Sequence, residues 1–194
     1  MVQPTLTGML TPEEGAIAVQ IARRAIEHAV SGERFSLPEM PPAFAQKRGV
    51  FVTIKQHGML RGCIGLPYPV KPLAEAVVEA AISAATEDPR FPPVSARELG
   101  NIILEVTVLT LPAPLEGPPE SRHEKVKVGT HGLIVSGRGT SGLLLPQVPL
   151  EWRWDSREFL DHTCMKAGLP TGCWKKSDIT VLTFEGQIFG EQEI

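Results

Sequence analysis

Apolar residues recur at helical spacing through Ile17, Ile21, Ala25 and Ala29, which predicts an amphipathic helix over Pro12 to Val30. Its start is also written in the chain. Thr11 stands at the N-cap, proline takes the first helical position and Glu14 completes a capping box, while Ser31-Gly32 ends the run. The period then drops to two. Val50, Val52 and Ile54 alternate with Phe51, Thr53 and Lys55, Gln56-His57-Gly58 supplies a turn, and Met59 to Leu66 returns as a second strand. A second helix is predicted over Leu73 to Thr86, with Leu73, Val77, Ala80 and Ala84 on one side. It must stop before Pro89, because the residue preceding a proline avoids the helical region. Ser95 and Glu98 form a capping box for a short helix near Arg97.

Ile102 to Leu111 is strongly β in composition, and Pro112 to Arg122 reads as a surface loop. Val126 to Val128, Leu133 to Val135 and Leu143 to Leu145 read as short strands, with a hairpin turn in Gly137 to Gly142. Asp155 and Glu158 cap a helix running to Ala167, which Gly168 and Pro170 stop, and Ile179 to Phe189 forms the last strands. Helices alternate with strands, but the tight hairpins call for antiparallel pairing, so the fold class is α+β.

Composition narrows the function classes. A net charge of -3 over 194 residues provides no overall positive field for nucleic acid or anionic lipid. No apolar run is long enough to span a bilayer, and Met1 to Thr11 lacks the features of a signal peptide, so a cytoplasmic protein is expected. The three cysteines, Cys63, Cys164 and Cys173, fit that compartment; their odd number leaves no full disulfide set, and no Cys-x-x-Cys occurs. Cys164 is assigned to the core face of its helix, and Cys173-Trp174 to packing or surface. No metal site and no cofactor is assigned.

The segment with the most chemistry is Leu60-Arg61-Gly62-Cys63-Ile64-Gly65. Strand alternation sends Leu60, Gly62 and Ile64 one way, with Leu60 and Ile64 as core anchors, and Arg61, Cys63 and Gly65 the other way. A guanidinium beside a thiol favours the thiolate, and Gly62 and Gly65 leave room for a backbone or ligand to approach. A small hydrophobic role for Cys63 and a bulge role for the glycines are the structural alternatives. Asp88-Pro89-Arg90-Phe91-Pro92 would hold a charged pair rigidly after the second helix. His131, flanked by glycine-rich turns, is a candidate base, and Gln147 a candidate amide ligand.

Leu60 to Gly65 matches, at all six positions, the hallmark of the AMMECR family, which the chain resembles. Further matching blocks are Gly49-Val50-Phe51-Val52-Thr53, Asp88-Pro89-Arg90-Phe91, Glu105-Val106-Thr107-Val108-Leu109-Thr110, Leu143-Leu144-Leu145-Pro146-Gln147-Val148 and Lys166-Ala167-Gly168-Leu169-Pro170. The resemblance implies a single domain over residues 1–194 with two intertwined lobes. It further implies an antiparallel sheet flanked by helices, a smaller second lobe and a cleft carrying the hallmark motif. It also implies a pathway shared with Memo-type and radical-SAM proteins. Two functions then compete. In a ligand- or partner-binding protein, Arg61, Gly62, Gly65, Asp88, Arg90 and Gln147 line the site. In a cysteine-dependent acyl- or alkyl-transfer enzyme, Cys63 is the nucleophile and Asp88/Arg90 or His131 completes the site. A scaffold whose motif only serves folding is the third reading.

Overall fold

The structure is a computed structural model that describes residues 9–191. The reading of the N-terminal stretch as lacking a signal peptide falls mostly outside that range. In chain order the first elements are α1 (Pro12–Ser31), β1 (Val50–Gln56), β2 (Met59–Leu66), α2 (Leu73–Thr86) and β3 (Ile102–Leu109). Then follow β4 (Ala113–Pro114), α3 (Arg122–Lys125), β5 (Gly132–Gly137), β6 (Thr140–Leu144), α4 (Val148–Trp152), α5 (Ser156–Lys166), β7 (Thr180–Phe184) and β8 (Gly186–Gly190). The chain divides into two compact units. The first runs to Thr110 and takes the chain back from Gln187, and the second spans Leu111–Gly186. No helix among the described residues is long and apolar enough to cross a membrane.

The first unit is built on a sheet of order β2-β1-β3-β8. α1 starts as its sequence dictates: the Thr11 hydroxyl accepts the Glu14 N–H, the Glu14 carboxylate accepts the Thr11 N–H, and Gly32 closes the helix at φ 75°. Val50, Val52 and Ile54 of β1 and Leu104, Val106 and Val108 of β3 are fully buried, in one cluster with alanines of α1 and α2. Ala18, Ala22 and Ala25 on α1 and Ala76, Ala80 and Ala84 on α2 have no bulk to hold the helices away from each other or from the sheet. The predicted short helix near Arg97 does not form. The Glu98 carboxylate does accept the Ser95 N–H, but only the three-residue turn Leu99–Asn101 fits before β3 begins.

The β1–β2 hairpin departs from strict alternation. His57 and Gly58 turn it with φ 51° and 74°. Lys55 then pairs with Leu60, but Ile54 pairs with Gly62, so Arg61 is the extra residue of a bulge. From Gly62 onward β2 keeps the new register, with Cys63 opposite Thr53 and Gly65 opposite Phe51. This corrects the placement of Leu60 as a core anchor. Its pairing partner Lys55 faces away from the core, and Leu60 is 43% exposed.

The second unit holds a sheet of order β4-β7-β5-β6, with α5 packed on β5 and β6. The predicted hairpin is there, turned by Arg138 and Gly139 at φ 54° and 79°. Val126 to Val128 is not a strand; it follows the short helix α3, which ends at Lys125. The predicted terminal strand pair splits at Glu185, so β7 joins the second sheet and β8 the first. α4 was not expected, although Pro149 in its first turn suits a helix start.

The cysteine reading also needs correction. Cys164 and Cys173 form a disulfide across nine residues, with both residues buried, and Cys63 is the free thiol. Gly168 and Gly172, both at left-handed φ, turn the chain back from α5. The Asp161 carboxylate holds the returning segment by accepting from the Gly172 N–H and the Trp174 indole. The cysteine count therefore no longer argues for a reducing compartment. Closing a loop this short stabilises the fold by about 2.5 kcal/mol on the chain-entropy account. All three tryptophans lie in the second unit. Urea unfolding followed by tryptophan fluorescence is therefore expected to move to a lower midpoint when a reductant is present, with the extrapolated stability lower by that amount.

Candidate functional site

β2 is the edge strand of its sheet among the described residues, so alternate backbone groups on it face away from β1 with no described strand to receive them. At Cys63 the loop after α2 receives them instead. The Cys63 N–H donates to Asp88 Oδ2 at 2.8 Å, and Nη2 of Arg90 donates to the Cys63 carbonyl at 3.3 Å. One carboxylate and one guanidinium thus take the place of a neighbouring strand. The loop is rigid for local reasons. Asp88 Oδ1 accepts the Arg90 backbone N–H at 3.1 Å and Arg90 Nε at 2.9 Å, Oδ2 accepts Arg90 Nη2 at 2.7 Å, and Pro89 lies between. The Asp88 side chain is 2% exposed and that of Arg90 54%. Burial alone would raise the Asp88 carboxyl. The Arg90 hydrogen bond outweighs it, with help from the Cys63 and Arg90 N–H groups, and holds it well below the usual carboxylate range.

Arg61 is committed elsewhere. Its Nε donates to Glu98 Oε1 at 2.8 Å, and its Nη2 reaches Glu98 Oε2 at 3.4 Å and the Pro93 carbonyl at 3.5 Å. Glu98 Oε2 also accepts the Ser95 N–H and hydroxyl, each at 2.8 Å. Chiefly through Arg61, the Glu98 carboxyl falls to about 2. Both guanidinium groups lie over the Phe91 ring, at 5.9 Å for Arg61 and 5.6 Å for Arg90. Both Glu98 and Asp88 have folded-state pKa values below their unfolded ones. Their contribution is therefore complete above the unfolded carboxylate range near pH 4 and is lost as pH falls through the folded values. Urea midpoints measured from pH 6 down to pH 3 are expected to fall, and Glu98→Gln is expected to flatten that slope.

The thiol itself is half-buried on the side of the sheet that α1 and α2 leave uncovered. Cys63 Sγ lies 3.2 Å from the Thr53 hydroxyl. Thr53 stands opposite Cys63 on one side and opposite Glu105 on the other, so thiol, hydroxyl and carboxylate form one row across β2, β1 and β3. Glu105 is ion-paired with Lys55. The two glycines make room for the protein's own atoms. A Cβ on Gly62 would stand 2.3 Å from the Ala84 carbonyl oxygen of α2, and one on Gly65 2.1 Å from the Phe51 ring.

Two further candidates belong to the second unit. The Lys127 N–H donates to His131 Nδ1 at 3.2 Å, and His131 Nε2 lies 3.8 Å from Glu185. Desolvation lowers the pKa of this imidazole and so favours its neutral form, and Glu185 partly offsets that shift. Gln147 is exposed at the N-cap of α4, where its backbone carbonyl accepts from Leu150 and Glu151. The structure thus brings Arg61, Gly62, Cys63, Gly65, Asp88 and Arg90 together in the first unit, and adds Thr53, Phe91, Glu98 and Glu105.

Comparison with known proteins gives concordant results. The AMMECR1 family model matches residues 19–189. A protein of Thermococcus onnurineus is 53% identical over 187 residues, covering 93% of this chain and 91% of its own. One from Methanosarcina acetivorans is 52% identical over 190 residues, covering 95% of each chain. The crystal structure of uncharacterized protein PH0010 from Pyrococcus horikoshii aligns with a TM-score of 0.76 at 50% identity, covering 94% of both chains.

Proposed function

The chain belongs to the AMMECR1 family, and on that premise we propose that it is a binding protein whose contact face is the uncovered face of the first sheet around Cys63. The observation that carries this reading is how the charges near the thiol are used. Asp88 and Arg90 hold the backbone of Cys63, Arg61 is paired with Glu98, and the thiol's own partner is the Thr53 hydroxyl. Triad-type cysteine catalysis needs a base within hydrogen-bond reach. Asp88 instead spends its carboxylate on four hydrogen bonds as a firmly ionised acceptor. The face also displays apolar surface at Leu60, which is 43% exposed and pairs with Lys55 on the Thr53 side of the sheet. The partners to try first are the Memo-type and radical-SAM proteins implied by the family resemblance. Calorimetric titration of the full chain with each tests the reading. Leu60→Asp, at an exposed position, is expected to weaken binding by about tenfold or more, and Cys63→Ser to leave it nearly intact. Undiminished binding by a folded Leu60→Asp protein would remove this face from the account.

One observation favours a second reading, acyl or alkyl transfer with Cys63 as nucleophile. The row Cys63, Thr53 and Glu105 places a hydroxyl between a thiol and a carboxylate. In that reading Thr53 orients the thiol. The two readings part over whether folding activates the thiol or shields it.

A further inference from the structure

A groove of about 600 Å³ runs along the flank of α2 that its buried residues leave free. Its apolar lining comes from Val78 and Ile82 on α2, and from Phe35 and Leu37 in the connector after α1. Glu75, Glu79 and Glu87 line it as well; among the described residues no lysine or arginine does, and the nearby Arg24 guanidinium lies over the Phe35 ring at 5.7 Å. Lys71 pairs with Glu79, the middle carboxylate of the three, while Glu75 and Glu87 are exposed. From position 75 to position 87 the acidic row extends about 18 Å at the helical rise per residue. The groove plays no part in the contact face proposed above, because the α2 residues that line it are not those packed toward the sheet.

We propose that this groove is a docking site for an amphipathic helix of a partner protein, with apolar side chains on its inward stripe and lysine or arginine on its flanks. Charge complementarity selects that occupant. The carboxylates repel nucleic acid and anionic headgroups, and the two exposed ones, Glu75 and Glu87, attract cations placed toward the two ends of an apolar stripe. The apolar lining needs a partner that buries hydrocarbon as well as charge, which a small polycation does not do. The length of the row matches about three turns of helix, which favours a segment over a compact metabolite.

Selection from a displayed library of random peptides of about 16 residues, long enough for four helical turns, tests the proposal on the full chain. The expected winners carry net positive charge, space their apolar residues three and four apart, and bind more weakly as salt rises. Glu75→Lys combined with Glu87→Lys is expected to weaken them by about tenfold or more while the thermal transition stays in place. Neutral or acidic winners, winners that bind the charge-reversed protein equally well, or no winners at all would overturn the proposal. So would spermine binding without peptide binding, which would make the groove a polyamine site. Self-association abolished by the same two substitutions would assign it instead to a second copy of the chain.

Discussion

Gly62→Ala is expected to lower the stability of the first unit by about 3 kcal/mol, the upper end for an overpacked site. The added methyl would stand 2.3 Å from the Ala84 carbonyl oxygen, and neither can rotate away: the oxygen is backbone and the Cβ is fixed to the backbone. Relief would need α2 to lift from β2, where Ala80, Ala81 and Ala84 are buried almost completely. Gly100→Ala is the matched control. Nothing lies within 4 Å of its added Cβ, so a change near zero is expected. The tryptophans all report on the second unit, so far-UV circular dichroism during urea unfolding is the suitable measurement.

Asp88→Ala is the second large effect, about 2–3 kcal/mol. It strips the Cys63 N–H of its acceptor and leaves Arg90 without its carboxylate partner. Arg90→Ala leaves the Asp88 carboxylate, 2% exposed, without its guanidinium partner, so a loss of the same order is expected. Amide exchange gives the local readout. The Cys63 N–H is expected to be protected in the parent protein and to exchange much faster in Asp88→Ala, while amides in the centre of β1 stay protected.

Both predictions rest on a geometry that is only partly legible in the sequence. The hairpin, the helices α1, α2 and α5, and the capping boxes of α1 and α5 follow from local patterns, because each depends on residues a few positions apart. The side chains that meet Cys63 do not. With His57-Gly58 as the turn, an unbroken register would pair Ile54 with Arg61 and Thr53 with Gly62. That would set an arginine opposite a core isoleucine, and the conflict itself signals the bulge. The bulge removes Arg61 from the ladder and brings Thr53 opposite Cys63.

Reading Arg61 as the neighbour that activates the thiol fails to anticipate Glu98, 37 residues on, whose sequence neighbours suggest only a capping role. The rigid Asp88–Arg90 pair was legible from its flanking prolines. Its use as a stand-in strand was not, because that depends on β2 being an edge. The Cys164–Cys173 bond was hidden for a similar reason. It depends on two left-handed glycines turning the chain back after α5, which a count of cysteines does not contain.

The central claim is that Asp88 and Arg90 hold Cys63 in a contact face rather than in a catalytic site. Alkylation of Cys63 by iodoacetamide tests it most directly, comparing the folded chain with the urea-unfolded chain at matched pH from 6 to 9. The disulfide-bonded cysteines stay silent unless reduced. The half-buried thiol, bonded to Thr53, is expected to react more slowly folded than unfolded at every pH. Faster labelling in the folded chain at pH 6 would contradict the account and identify an activated nucleophile.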